Sequence, residues 1–85
     1  MTPTETSLIQ VMRTGLRLAP AMEIGPETAI FGPKGLGLDS VDVLEIAVLL
    51  DKNFGVKLEE QSEEVHAALA SIGTLAAYID RRRAG

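Results

Sequence analysis

Few side chains in this sequence could do chemistry. Ser40 stands in the run Gly37-Leu38-Asp39-Ser40-Val41-Asp42, directly after the glycine-rich stretch Gly32-Pro33-Lys34-Gly35-Leu36-Gly37. A serine hydroxyl can attack a carbonyl, accept a covalent group or cap a helix. Attack needs a base to take the proton. The single histidine, His66, is far along the chain, and no Gly-x-Ser-x-Gly elbow surrounds Ser40, which argues against a hydrolase. The glycines do not make a phosphate loop, because no Gly-Lys-Ser/Thr follows and no strand signal precedes. Dinucleotide-binding spacing also fails, since Ser40 occupies the place of the third glycine. Asp39, Asp42 and Glu45 recur every third residue, a spacing of a solvated helix face and not of a calcium loop. There is no cysteine, so no thiolate nucleophile or disulfide exists, and one histidine cannot complete a zinc site. On composition alone Ser40 reads as an ordinary serine at a helix start, at the junction of a glycine-rich loop and the helix that follows.

The elements that must position it are helical. Thr2, Pro3 and Glu5 form a helix start with a capping box. From residue 3 to about 19, Leu8, Ile9, Val11, Met12, Leu16, Leu18 and Ala19 share one half of the wheel, and Pro20 is the expected stop. Seven of the eighteen residues from 20 to 37 are Gly or Pro, so no regular helix crosses that stretch. Its Met22, Ile24, Ile30, Phe31, Leu36 and Leu38 predict a loop laid over the core. Asp39, with Asp42 three residues on, starts a second helix of about 39–53. Val41, Val43, Leu44, Ile46, Ala47, Val48 and Leu50 wrap most of that helix, which predicts a central position. Phe54-Gly55 stops it. Ser62 is the expected cap of a short third helix, about 62–69, with Val65, Ala68 and Leu69 inward. Ser71 caps a fourth, about 71–83, carrying Ile72, Leu75, Ala76 and Ile79 at helical spacing. The prediction is an all-α four-helix bundle with a long first loop and a short third helix.

Size and charge narrow the function further. With 85 residues, 46% hydrophobic and 24% charged, the chain is globular in composition and has room for one domain, residues 1–85. A domain of this size buries only about 60–65% of its unfolded surface, which leaves little room for a deep catalytic pocket. A net charge of −4 argues against nucleic acid, and Arg81, Arg82 and Arg83 read as a solvated helix end. His66 reads as a partly exposed helix residue. No apolar run is long enough for a membrane span, and no leader pattern opens the chain, so the expected compartment is the cytoplasm.

The residues around Ser40 carry a family resemblance. Asp39-Ser40 followed by Val41 and Asp42 resembles the phosphopantetheine attachment motif of acyl carrier proteins. Leu44-Glu45, Leu50, Phe54-Gly55-Val56 and Leu58 are similar to that family's second helix and following loop; Ser71-Ile72-Gly73-Thr74-Leu75 with Tyr78-Ile79 is similar to its last helix. The likeness is nearly continuous from about residue 28 to 79, while the first helix matches only in pattern. Lys52 and Asn53 stand where carriers of primary fatty acid synthesis commonly show acids, and residues 59 to 71 form a longer segment. The chain is more similar to stand-alone carriers of specialised acyl or polyketide-type pathways.

The resemblance implies that Ser40 bears a 4'-phosphopantetheine arm taken from coenzyme A, with Asp39 beside it, and that acyl groups ride on the arm as thioesters. A phosphodiester at a helix N-terminus would meet backbone N–H groups and a favourable dipole worth only ~0.3–1 kcal/mol. The arm's own thiol is then the only one, so no cysteine can capture the acyl group. Implied partners are a phosphopantetheinyl transferase, an acyl transferase or acyl-ligase, and a ketosynthase or related acyl-processing enzyme acting on a monomeric, non-catalytic carrier. Val41, Asp42, Glu45 and Leu49 are the expected docking residues. Leu44, Val48, Leu58, Leu69, Leu75 and Ile79 are candidate walls of an acyl pocket. The alternative is an unmodified helical adaptor that binds a protein through the acidic stripe of the second helix.

Overall fold

The first helix begins on two side-chain hydrogen bonds. In the computed structural model of the chain, Thr2 Oγ1 accepts from the N–H of Glu5 (3.1 Å) and Glu5 Oε1 accepts from the N–H of Thr2 (2.7 Å). This reciprocal box, with Pro3 in the first turn, opens helix α1 (Pro3–Gly15). Three helices follow: α2 (Asp42–Phe54), α3 (Glu63–Ala68) and α4 (Ile72–Ala84). The structure describes residues 2–18, 21–32, 35–39, 41–58 and 63–84. The all-α, four-helix expectation holds; among the described residues the only ladder-type pairings are two isolated bridges, Ala29–Ser71 and Phe31–Leu38.

Helix α1 is shorter than its apolar pattern predicts. It ends at Gly15, and Arg17 has turned into the left-handed region (φ 54°), so the chain leaves the helix before Pro20, which lies outside the described residues with Ala19. A Cβ on Gly15 would overlap the methyls of Leu49, so the Leu49 side chain of α2 packs directly against the α1 backbone at this point. Leu8, Ile9 and Met12 are buried; Val11, Leu16 and Leu18 are half-buried.

The long connection is pinned to the bundle by its backbone. The N–H groups of Ile72 and Gly73, unpaired within α4, donate to the carbonyls of Thr28 (3.1 Å) and Pro26 (2.7 Å). Ile30 N–H donates to Ala70 O, and Leu36 N–H to Ala29 O (2.9 Å). These bonds carry Ile30 and Leu36 into the core, with Met22, Ile24, Phe31 and Leu38 packed against it. The loop covers the core as its apolar residues predict.

The central helix is not α2. It buries only Ile46 and Leu50, whereas α4 buries Ile72, Leu75, Ala76, Tyr78 and Ile79. Helix α1 packs against both α4 and α2, and α3 packs against α4. One face of α2 therefore suffices for its packing, and Val41, Leu44 and Val48 point outward. Gly55, left-handed at φ 68°, ends α2 as expected, its N–H reaching the carbonyls of Asp51 and Leu50. Ser71 caps α4: its Oγ accepts from Thr74 N–H (3.2 Å), and Thr74 Oγ1 accepts from Ser71 N–H (2.9 Å). The cap assigned to Ser62 lies outside the described residues.

Candidate functional site: the start of α2 and the pocket beside it

Asp39 and Asp42 build the start of α2 between them. Asp39 Oδ1 accepts from the N–H of Val41 (3.0 Å), its carbonyl accepts from the N–H of Asp42 (3.0 Å), and Asp42 Oδ2 accepts from the N–H of Asp39 (3.0 Å). The regular helix is counted from Asp42 and has no side-chain cap at Val41 before it. Of the box expected of Asp39 and Asp42, the return bond from Asp39 N–H to the Asp42 carboxylate forms, while the Asp39 carboxylate takes the N–H of Val41 instead of that of Asp42. Ser40 lies outside the described residues. Its neighbours Asp39 and Val41 are both exposed, Val41 at 71%. The N–H groups of Val41 and Asp42 are taken by Asp39, so the helix start offers an anion less hydrogen bonding than its position implies. A group attached here must be held by its covalent bond.

An apolar pocket of about 720 Å³ opens next to Asp39. The first loop supplies Phe31, Leu38 and Asp39, α2 supplies Val43 and Leu44, and α3 with its following turn supplies His66, Leu69 and Ala70. The bridge between Phe31 and Leu38 brings the two loop side chains to one wall. Of the wall residues expected from sequence, Leu44 and Leu69 line this pocket. Leu75 and Ile79 lie fully buried in the main core, and Leu58 is half-buried against it. Val48, at 62% exposed, is not among the described residues that line this pocket. Phe31, Leu38, Val43, His66 and Ala70 were not expected there. They come from separated segments, and no single helical period joins them.

The outer face of α2 is an apolar ridge with acids along it. Val41, Leu44 (58% exposed) and Val48 follow one another at helical spacing, and exposed Glu45 lies among them. Asp42 is half-buried at the head of the ridge. Leu49 is half-buried at the crossing with Gly15, on the α1 side of that ridge. The three carboxylates of Asp39, Asp42 and Glu45 cluster at the helix N-terminus, where its dipole favours them. Among the described residues no group of three His, Cys, Asp or Glu could hold a metal ion, and no helix is long and apolar enough to cross a membrane.

The arginines at the end of α4 have structural work. Arg81 and Arg82 bridge to Glu64 of α3 (3.4 and 2.7 Å), and both lie over the ring of buried Tyr78. Tyr78 Oη donates to Lys57 O (3.3 Å), and Arg83 lies over Phe54. This cluster ties α3 to α4, and so holds the pocket's α3 wall.

The start of α2 thus brings together exposed residues, an apolar pocket and an apolar ridge with acids along it. A model of the phosphopantetheine attachment site family matches residues 7–79. Acyl carrier proteins of Helicobacter pylori strains ATCC 700392 / 26695 and G27 are each 34% identical over 61 residues, covering 71% of this chain and 70% of theirs. Members of this family are carriers and not catalysts; they hold 4'-phosphopantetheine covalently and work with acyl-processing enzymes. The exposed residues on both sides of position 40 fit such a group, which supplies a thiol on a long flexible arm. By the match over residues 7–79 and the identity to these relatives, the chain belongs to the phosphopantetheine-binding family and is an acyl carrier protein with that cofactor.

Proposed function

We propose that Ser40 Oγ is the attachment point of the 4'-phosphopantetheine arm and that the whole chain, residues 1–85, works as one carrier domain. The observation that carries this reading is the placement of exposed Asp39 and Val41 around position 40, at the head of α2 and at the lip of an apolar pocket. A transferase reaching this turn needs no opening of the core. The chain performs no chemistry on its cargo; tethering presents the acyl group to docked enzymes at high effective concentration.

The proximal part of an acyl chain enters the pocket between α2 and α3, against Leu44 and Leu69, with Leu58, Leu75 and Ile79 supporting the wall from the core side. Partner enzymes dock on Val41, Asp42 and Glu45, with Leu44 and Val48 extending the apolar contact and Leu49 at its α1 edge. Acids around an apolar ridge suit basic patches ringing an apolar hollow, and they speed encounter in a salt-dependent way. The partners are a phosphopantetheinyl transferase, an acyl transferase or acyl-ligase, and a ketosynthase or related enzyme. The setting is fatty acid or polyketide-type biosynthesis, by a monomeric carrier in the cytoplasm.

Intact mass after incubation with coenzyme A and a broad-specificity phosphopantetheinyl transferase tests the assignment. The chain gains one phosphopantetheine and Ser40→Ala gains none. A wild-type chain that stays unmodified would leave the unmodified adaptor as the better account of the α2 ridge.

A further inference from the structure

We propose that His66 makes the pocket selective for acyl chains bearing an oxygen close to the thioester, the 3-oxo and 3-hydroxy chains, over saturated chains of equal length. The inference rests on the pocket being the acyl site, as proposed above. Phe31, Leu38, Val43, Leu44 and Leu69 offer a chain nothing but hydrocarbon. Among the described residues, the polar side chains on the lining are Asp39 and His66. They are not equivalent. Asp39 already accepts from Val41 N–H through Oδ1, and an ionised carboxylate cannot donate to a carbonyl oxygen. His66 is exposed on α3 and makes no hydrogen bond or ion pair with any described residue. A neutral imidazole donates through one ring nitrogen and accepts through the other. It can therefore meet a 3-oxo oxygen as a donor and a 3-hydroxyl as either.

A saturated chain lying in the same place covers the ring edge without pairing it, and so displaces water from a polar atom at a cost. Discrimination then comes from one polar group in an apolar pocket, the arrangement that separates ligands differing by a single oxygen. Burial alone predicts the reverse order, because the oxygen reduces the apolar area that a chain can hide.

The test uses the full chain loaded with octanoyl, 3-oxooctanoyl or 3-hydroxyoctanoyl phosphopantetheine, with loading checked by intact mass. The readout is the melting temperature relative to the form bearing the bare arm. The octanoyl shift reports on the pocket; the gap between oxygenated and saturated chains reports on His66. In the wild type the oxygenated chains melt higher than octanoyl by about 4–8 °C, the shift worth one hydrogen bond in a domain of this length. His66→Leu removes the gap or inverts it, and His66→Gln, which keeps a donor and an acceptor, retains it. Equal shifts in the wild type, or a gap that survives His66→Leu, overturn the role of His66 while leaving the acyl pocket standing. No shift with any chain overturns the pocket and this inference together.

Discussion

Replacing Val48 with serine separates docking from folding at one position. Val48 lies on α2 two residues from Leu50; Val48 is 62% exposed and Leu50 is fully buried. Fully burying a valine side chain is worth about 1.5–3 kcal/mol, and with a little over a third of it covered the share is about 0.5–1 kcal/mol. Valine and serine have similar helix propensity, so the backbone adds little. Val48→Ser should therefore lower the unfolding free energy in urea by no more than about 1 kcal/mol. Leu50→Ala, which empties a filled core position, should lower it by about 2–5 kcal/mol. Kinetics with the phosphopantetheinyl transferase should show the converse. Truncating an apolar contact at the centre of an interface commonly costs about 1 kcal/mol or more, so Val48→Ser should reduce kcat/KM about fivefold or more, mostly through KM. A Val48→Ser chain that is destabilised as much as Leu50→Ala would refute the outward placement of this residue. One that is fully stable and modified at the wild-type rate would refute the ridge as a docking surface.

Other perturbations follow from the same structure. Reversing the charge of Asp42 and Glu45 to arginine should raise the transferase KM at low salt, and the difference should shrink as ionic strength rises; salt-independent kinetics would contradict electrostatic steering. Tyr78→Phe removes only the bond to Lys57 O and should cost about 0.5–1.5 kcal/mol in urea unfolding, whereas Tyr78→Ala should cost about 3–5 kcal/mol. Gly35→Ala should be poorly tolerated by thermal melting, because a Cβ there overlaps the Ala29 carbonyl that receives the Leu36 N–H.

What could be read from sequence was whatever is decided within a few residues. Thr2 with Glu5, Ser71 and Gly55 all act at their expected helix ends, because a cap is a contact between near neighbours. Asp39 and Asp42 do bond to each other, but the helix they were expected to start begins three residues later, at Asp42. Burial is decided by distant neighbours, and there the pattern misled. Helix α2 carries enough apolar residues to be central, but α1 covers one side of it, and Val41, Leu44 and Val48 remain outside. Apolar residues in a helix can form an exposed patch as well as core, and their spacing along the sequence does not separate the two. The end of α1 was missed because its apolar spacing continues through Leu16 and Leu18 while Gly15 and left-handed Arg17 break the backbone. The pocket was only partly legible: Leu44 and Leu69 were among its expected walls, but Phe31, Leu38 and His66 reach it through the loop and α3. Their meeting depends on bonds such as Ile30 N–H to Ala70 O, which no local pattern encodes.

Everything proposed for this carrier converges on a single oxygen. Proteolysis of the enzymatically modified chain, followed by fragmentation of the peptide spanning residues 36–45, locates the added group directly. The account predicts phosphopantetheine on Ser40 and on no other residue. Finding it on another hydroxyl, or finding that peptide unmodified in a chain whose mass has risen, would contradict it.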